Sequence, residues 1–256
     1  MRLAFVGKGG AGKSAIAGTF ARTLARQGDK VLAIDSDPLP GLAFSLGLAI
    51  EHSPPIPDDA VVERKEGEEG PRWRLNPDVD PFEAVDKWSV EAPDGVRFLQ
   101  FGKIMGDPKN LWRSQIAFRF IVNQLPAGRW NVVGDLPGGT RQAFTGWGSW
   151  ASTVLIVVEP TAKSLLSGRR LARMADLDPD TPKRVLAVAS KVREPDDVEM
   201  IAKGTGLEVV GVVPWDEALA EAERRQLAPI DFAPDCPAVL AVESLVERLS
   251  EEKVAS

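Results

Sequence analysis

Residues 1–14 read MRLAFVGKGGAGKS, an apolar run followed at once by a glycine-rich segment that ends in lysine and serine. Leu3, Ala4, Phe5 and Val6 present no polar face, the pattern of a strand covered on both sides in a parallel sheet. Gly7-Lys8-Gly9-Gly10-Ala11-Gly12-Lys13-Ser14 then fits G-x-x-x-x-G-K-[ST], the phosphate-binding loop. Its glycines let the backbone wrap closely enough for N–H groups to converge on phosphate oxygens. Lys13 has the reach for the β- and γ-phosphates, and the Ser14 hydroxyl suits Mg²⁺. From Ser14 and Ala15 onward a helix opens, its positive dipole end facing the same anion. The alternative is a glycine-rich turn that binds nothing. A strand before the loop and a helix after it are the context that argues against this.

Working outward, the spacing of Ile16, Phe20, Thr23 and Leu24 predicts a helix over 13–27, closed by Gly28-Asp29. Residues 30–34 form a second buried strand that runs into Asp35-Ser36-Asp37-Pro38. The two carboxylates fall at the carboxyl edge of the sheet, where open α/β folds bind ligands. Two apart on extended backbone, they face the same way. One suits a Mg²⁺-bound water and the other an attacking water, unless both merely shape the turn before Pro38. Further strands are predicted at 96–102, 130–135, 153–158, 185–189 and 209–213, with helices over 40–48, 110–125, 163–175 and 237–251 between or after them. Alternation of this kind means parallel βαβ units, here one doubly wound sheet of about seven strands in a single domain over 1–256. Residues 51–80 interrupt it. Their prolines and the charged run Glu63 to Glu69 predict an exposed loop excursion, in which the lone His52 has no evident role.

Composition sets outer bounds. With 256 residues, 44% hydrophobic and 27% charged, the chain can bury a substantial core. A net charge of −6 argues against nonspecific capture of nucleic acid, although a local basic patch such as Arg169, Arg170 and Arg173 stays open. Cys236 is the only cysteine, which excludes a disulfide framework and fits a reducing compartment. Neither a signal peptide nor a bilayer-length apolar run is evident, so a soluble cytoplasmic protein is expected. The last helix carries Glu243, Glu247, Glu251 and Glu252 on its polar side, the wrong charge for a membrane anchor.

The second lysine, Lys8, gives G-K-G-G-x-G-K-S, which resembles the deviant loop of the MinD/ParA/nitrogenase-iron-protein group of P-loop ATPases. That resemblance implies ATP and Mg²⁺ as ligands and a homodimer in the ATP state, with Lys8 crossing the interface to the other subunit's nucleotide. It makes the Asp35–Asp37 segment switch I, with Asp37 positioning the nucleophilic water and Asp35 supporting it. Asp135-Leu136-Pro137-Gly138-Gly139 resembles the family's metal-binding aspartate and γ-phosphate sensor, with Asp135 on Mg²⁺ through water and Gly139 at the phosphate. The helix behind that sensor would carry Phe144, Trp147 and Trp150. Ser190-Lys191 sits where relatives carry Asn-Lys, the asparagine reading adenine, and Pro214-Trp215 matches the loop that borders the base.

Val157-Val158-Glu159-Pro160, Lys191-Val192-Arg193 and Val213-Pro214-Trp215-Asp216 further resemble the CooC branch, ATPases that assist nickel insertion into carbon monoxide dehydrogenase. That branch has a Cys-x-Cys where this chain reads Met105-Gly106-Asp107, so nickel binding does not carry over. The expectation is an ATP-driven switch serving an unidentified client protein. A ParA/MinD-like positioning ATPase is the second reading, and a module that binds nucleotide without turnover is the weaker third.

Overall fold

The computed structural model describes residues 1–37, 41–49, 56–100, 108–138, 144, 146–177 and 184–255. In chain order its first half comprises β1 (Arg2–Gly7), α1 (Lys13–Arg26), β2 (Val31–Asp35), α2 (Gly41–Ser45), β3 (Val61–Glu63), β4 (Trp73–Leu75), α3 (Pro81–Trp88), β5 (Val90–Glu91) and β6 (Arg97–Gln100). There follow α4 (Pro108–Gln124), β7 (Asn131–Asp135), β8 (Thr153–Val158), α5 (Ala162–Leu177), β9 (Arg184–Val192), α6 (Pro195–Thr205), β10 (Val209–Pro214), α7 (Glu217–Arg224), α8 (Pro229–Phe232) and α9 (Pro237–Ala255).

Eight strands form the main sheet in the order β10-β9-β8-β1-β7-β2-β6-β5. Seven of them run parallel and coincide with the seven predicted strands. The eighth, β5, is an antiparallel edge of two residues too short to leave a sequence pattern. Strand pleating explains the missing polar face of β1. Ala4 and Val6 pack with Leu32, Ile34, Phe118 and Ile121 on the face covered by α3, α4, α5 and α6. Leu3 and Phe5 point the other way, onto Ile16, Phe20 and Leu24 of α1 and Leu245 and Val246 of α9. Phe5 and Phe20 meet edge to face at 5.6 Å. α1 ends as its sequence predicts. Gly28 adopts φ +92°, and the N–H groups of Gly28 and Asp29 donate to the carbonyls of Ala25 and Leu24.

Two expectations need correction. The excursion over 51–80 is not wholly an exposed loop: within its described part, 56–80, β3 and β4 pair as a small antiparallel hairpin. Ile56, Ala60 and Val61 are buried in the main core, and Trp73 and Leu75 pack against it. The charged tip, 65–72, is exposed throughout, and outside it only a few residues such as Asp59, Glu63 and Asp78 are. Charge dominates the composition of this stretch, but a few apolar residues suffice to anchor it.

Residues 146–150, expected on a helix, form turns. Gly146 takes φ +85° there, which a continuing helix does not allow. Trp150 is buried in the core. Its indole N–H donates to the Trp147 carbonyl at 2.8 Å, and its ring lies so close to Gly134 of β7 that a Cβ there would stand 2.5 Å away.

Candidate functional site

The sheet register assembles the site. β1, β7 and β2 are neighbours, and Asp135 stands level with both Phe5 and Asp35. The loop after β1 and the two strand-terminal acids therefore meet at one carboxyl edge, where the order of connection reverses around β1.

Gly7 leaves β1 hard against β8, where a Cβ would meet the Val157 carbonyl oxygen at 2.5 Å. Gly12, preceding α1, has φ +89° and caps the helix with no side chain. The first-turn N–H groups of α1 thus stay available to an anion. Lys13 is buried at the start of that helix, only 8% exposed. Beside it the Ser14 hydroxyl donates to Asp135 Oδ2. The other oxygen, Asp135 Oδ1, is buried with no hydrogen-bond partner among the described residues. Gly138 lies against the loop, its Cβ position 3.0 Å from the Gly9 nitrogen.

The electrostatics are strained in one direction. Burial pushes the Asp135 carboxyl up to about 6, Asp37 adds to that rise, and the Lys13 charge and the Ser14 hydroxyl hold it down. Burial also raises Asp35 well above the usual carboxylate range, and the neighbouring Asp135 raises it further. Asp35 Oδ1 accepts from the Asp37 N–H at 2.8 Å and Oδ2 from the Leu42 N–H at 3.1 Å. Both oxygens accept from the backbone, so Asp35 shapes the segment that carries Asp37.

On the opposite flank, the Ser190 hydroxyl donates to the Ala11 carbonyl at 2.8 Å. Ser190 is buried and turned into the loop, so its side chain braces the loop. Lys191 reaches the Gly10 carbonyl at 2.5 Å and Glu159 at 2.8 Å. Lys8 also lies on Glu159, at 3.7 Å. Trp215 is 40% exposed, with the Arg193 guanidinium 4.4 Å from its ring centroid. Pro214 ends β10 beside it. Gly139 falls outside the described residues.

A cavity of about 160 Å³ opens over Gly10, Gly12, Lys13, Ser14 and Ala15, walled by Phe44 of α2 and by Glu223, Leu227 and Pro229 from α7 to α8. The sequence reading did not select these walls, and it quoted Glu159 without giving it a role in the site. Glu159 left one usable trace, an acid directly after a fully apolar strand.

These observations meet the requirements of a bound nucleotide. The left-handed Gly12, the buried lysine, the free helix N-terminus and the cavity form one continuous cradle. Residues 3–237 match the model of the CobQ/CobB/MinD/ParA nucleotide-binding domain. The chain belongs to that family. Among relatives of this chain, an uncharacterized ATP-binding protein of Methanocaldococcus jannaschii is 31% identical over 233 residues, covering 87% of this chain and 88% of the relative. The carbon monoxide dehydrogenase accessory protein CooC of Rhodospirillum rubrum is 29% identical over 247 residues, 92% of each chain. In fold, the chain is similar to the septum site-determining protein MinD of Pyrococcus horikoshii, solved with Mg-ADP. It superposes with a TM-score of 0.72 at 15% identity, covering 96% of this chain and 94% of that one.

The donor set also fits Mg²⁺. An orphaned buried carboxylate oxygen beside a serine hydroxyl, both hard oxygen ligands, is what that ion accepts. Ser14 and Asp135 would hold it. Among the described residues no group of three or more His, Cys, Asp or Glu side chains is placed to hold a metal without a ligand's help.

Proposed function

We propose that the chain is a Mg-ATP-dependent dimerising switch that hydrolyses ATP to ADP and uses the cycle to assemble or mature a client protein, with a metalloenzyme suggested by the likeness to a carbon monoxide dehydrogenase accessory protein. The observation that carries this reading is the division of labour between the two loop lysines. Lys13 is buried in the cradle, whereas the Lys8 side chain is 38% exposed on the loop's outer side. One lysine serves the chain's own phosphates, and the other is free to serve a second subunit's.

In this mechanism the loop N–H groups and Lys13 hold the β- and γ-phosphates. Mg²⁺ on Ser14 and Asp135 would neutralise charge on the phosphate oxygens. Asp37, held through its N–H by Asp35, orients the attacking water. Lys8 from the partner offsets the charge that develops on the transferred phosphoryl group. Gly138 already touches Gly9, which offers a short path from the γ-phosphate to the segment after β7.

The test is the solution mass of Asp37→Ala by light scattering with Mg²⁺ and either ATP or ADP. A dimer with ATP and a monomer with ADP supports the switch. A monomer in both leaves Lys8 nothing to reach and overturns it. Lys8→Ala should keep ATP binding and lose both dimerisation and turnover.

The second reading, a positioning ATPase on DNA, draws only on the arginines of α5. Arg169 is steadied there by its Nε–H bond to the Gly204 carbonyl at 2.8 Å, and three arginines on an acidic chain make a small patch. A salt-sensitive gel shift with ATP would favour that reading, and no shift favours the client. Among the described residues no helix is long and apolar enough to cross a membrane.

A further inference from the structure

Glu159 sits immediately after β8, and its side chain is 12% exposed. Its backbone is tied down: the N–H donates to Ser164 Oγ at 3.0 Å, and the carbonyl accepts from Thr161 at 2.7 Å. The carboxylate therefore has a fixed position, and each oxygen faces a different ammonium. Oε1 holds Lys191 at 2.8 Å, while Oε2 faces Lys8 at 3.7 Å. Lys191 is secured twice over, because it also donates to the Gly10 carbonyl and its own backbone takes φ +57°, a conformation that non-glycine residues hold only when their surroundings enforce it. Lys8 has only the looser contact and is more exposed than Glu159. Of the two lysines, Lys8 is the one that can leave.

We propose that Glu159 is a positioning residue that parks Lys8 on its own subunit, in competition with the partner's nucleotide for the same ammonium. It thereby sets the protein concentration at which ATP produces dimers. The inference rests on the reading that Lys8 crosses the interface. The competition is simple Coulombic exchange. A carboxylate beside Lys8 lowers the gain from moving that charge onto a partner's phosphates, and a neutral amide of the same shape does not. The contact is half in water, so the effect is a threshold and not a lock.

The test uses the full chain with Mg-ATP, comparing wild type, Glu159→Gln, Lys8→Ala and the double variant. Sedimentation velocity measures the dimer constant, and ATPase activity is titrated against protein concentration. Glu159→Gln should tighten the dimer roughly two- to thirtyfold, the factor expected for a partly exposed ion pair counted once for each of the two subunits. The protein concentration at half-maximal activity should fall by the same factor. In the Lys8→Ala background the second substitution should change nothing. A weaker or unchanged dimer in Glu159→Gln overturns the proposal, as does an effect that survives without Lys8. If Lys8→Ala alone dimerises and turns over normally, the crossing-lysine reading itself fails, and that outcome is separately visible. Should the glutamine variant melt early, Glu159→Asp withdraws the carboxylate from Lys8 while keeping its charge near Lys191, and must shift the dimer constant the same way by a smaller factor.

Discussion

Replacing Asp135 with asparagine should stabilise the nucleotide-free fold while abolishing its response to Mg-ATP. The carboxyl is raised from an ordinary 3.8 to about 6. At 1.36 kcal/mol for each tenfold change in proton affinity, the ionised form costs the folded chain about 3 kcal/mol at pH 8. The sign follows from where the proton resides. Between roughly pH 4 and pH 6 the folded chain holds a proton that the unfolded chain has released, so stability falls as pH rises through that window and stays low above it. Asparagine has the shape of the protonated carboxyl and can still accept from the Ser14 hydroxyl, but it never ionises. It also removes one of the charges that raise Asp35, which adds to the gain. For a chain of this size about 3 kcal/mol corresponds to a Tm increase of roughly 6–12 °C at pH 8. Near pH 4, with the wild-type carboxyl protonated, the advantage should vanish. Thermal melts at the two pH values, without nucleotide and with saturating Mg-ATP, read both halves of the prediction. A variant less stable than wild type at pH 8, or a gain of equal size at pH 4, would refute the reasoning.

Three other substitutions probe separate parts of the structure. Gly138→Ala places a Cβ 3.0 Å from the Gly9 nitrogen and 3.2 Å from its Cα, and neither backbone atom can swing aside. The loop must shift, and nucleotide affinity measured by calorimetry should fall about tenfold with little change in Tm. Asp231→Ala removes one of the two carboxylates that neutralise Arg22, whose side chain is 3% exposed, and leaves it Asp94 at 2.7 Å. Urea denaturation should show a loss of about 1–2 kcal/mol. Trp150→Ala empties the space over Gly134 and should cost about 3–5 kcal/mol by the same assay.

The parallel strands were legible because burial on both faces of a parallel sheet erases polar alternation and leaves runs such as Val154 to Val158. The hairpin was not legible. Its strands are three residues each, and Val61, Trp73 and Leu75 are outnumbered by neighbouring charges. The helix expected over Trp147 and Trp150 came from the resemblance and not from any local pattern, and Gly146 breaks it. The site divided in the same way. Lys13, Ser14 and Asp135 belong to local motifs with chemistry attached. Glu159 acquires meaning only from lysines on two other segments, and Glu223, Leu227 and Pro229 only from the chain's return across the sheet edge. Ser190 was matched to a base-reading position by resemblance alone, and nothing in one sequence tells which way a buried hydroxyl turns.

Charge is segregated across the phosphate loop, and this segregation ties stability to function. On the β2–β7 side two buried carboxylates stand level on adjacent strands with one oxygen unpartnered, a surplus of negative charge that destabilises the fold by itself. On the β8–β9 side one carboxylate serves two lysines, leaving a surplus of positive charge. A ligand that presents a cation to the first flank and phosphates to the second relieves both at once, which neither a bare anion nor a bare metal ion can do. At about one hundred times its dissociation constant such a ligand contributes about 2.7 kcal/mol, close to the roughly 3 kcal/mol cost of ionised Asp135. The wild-type chain at pH 8 with Mg-ATP should therefore melt near Asp135→Asn without it. Phosphate or Mg²⁺ alone, supplied at the same concentration, should recover only a small part of that difference.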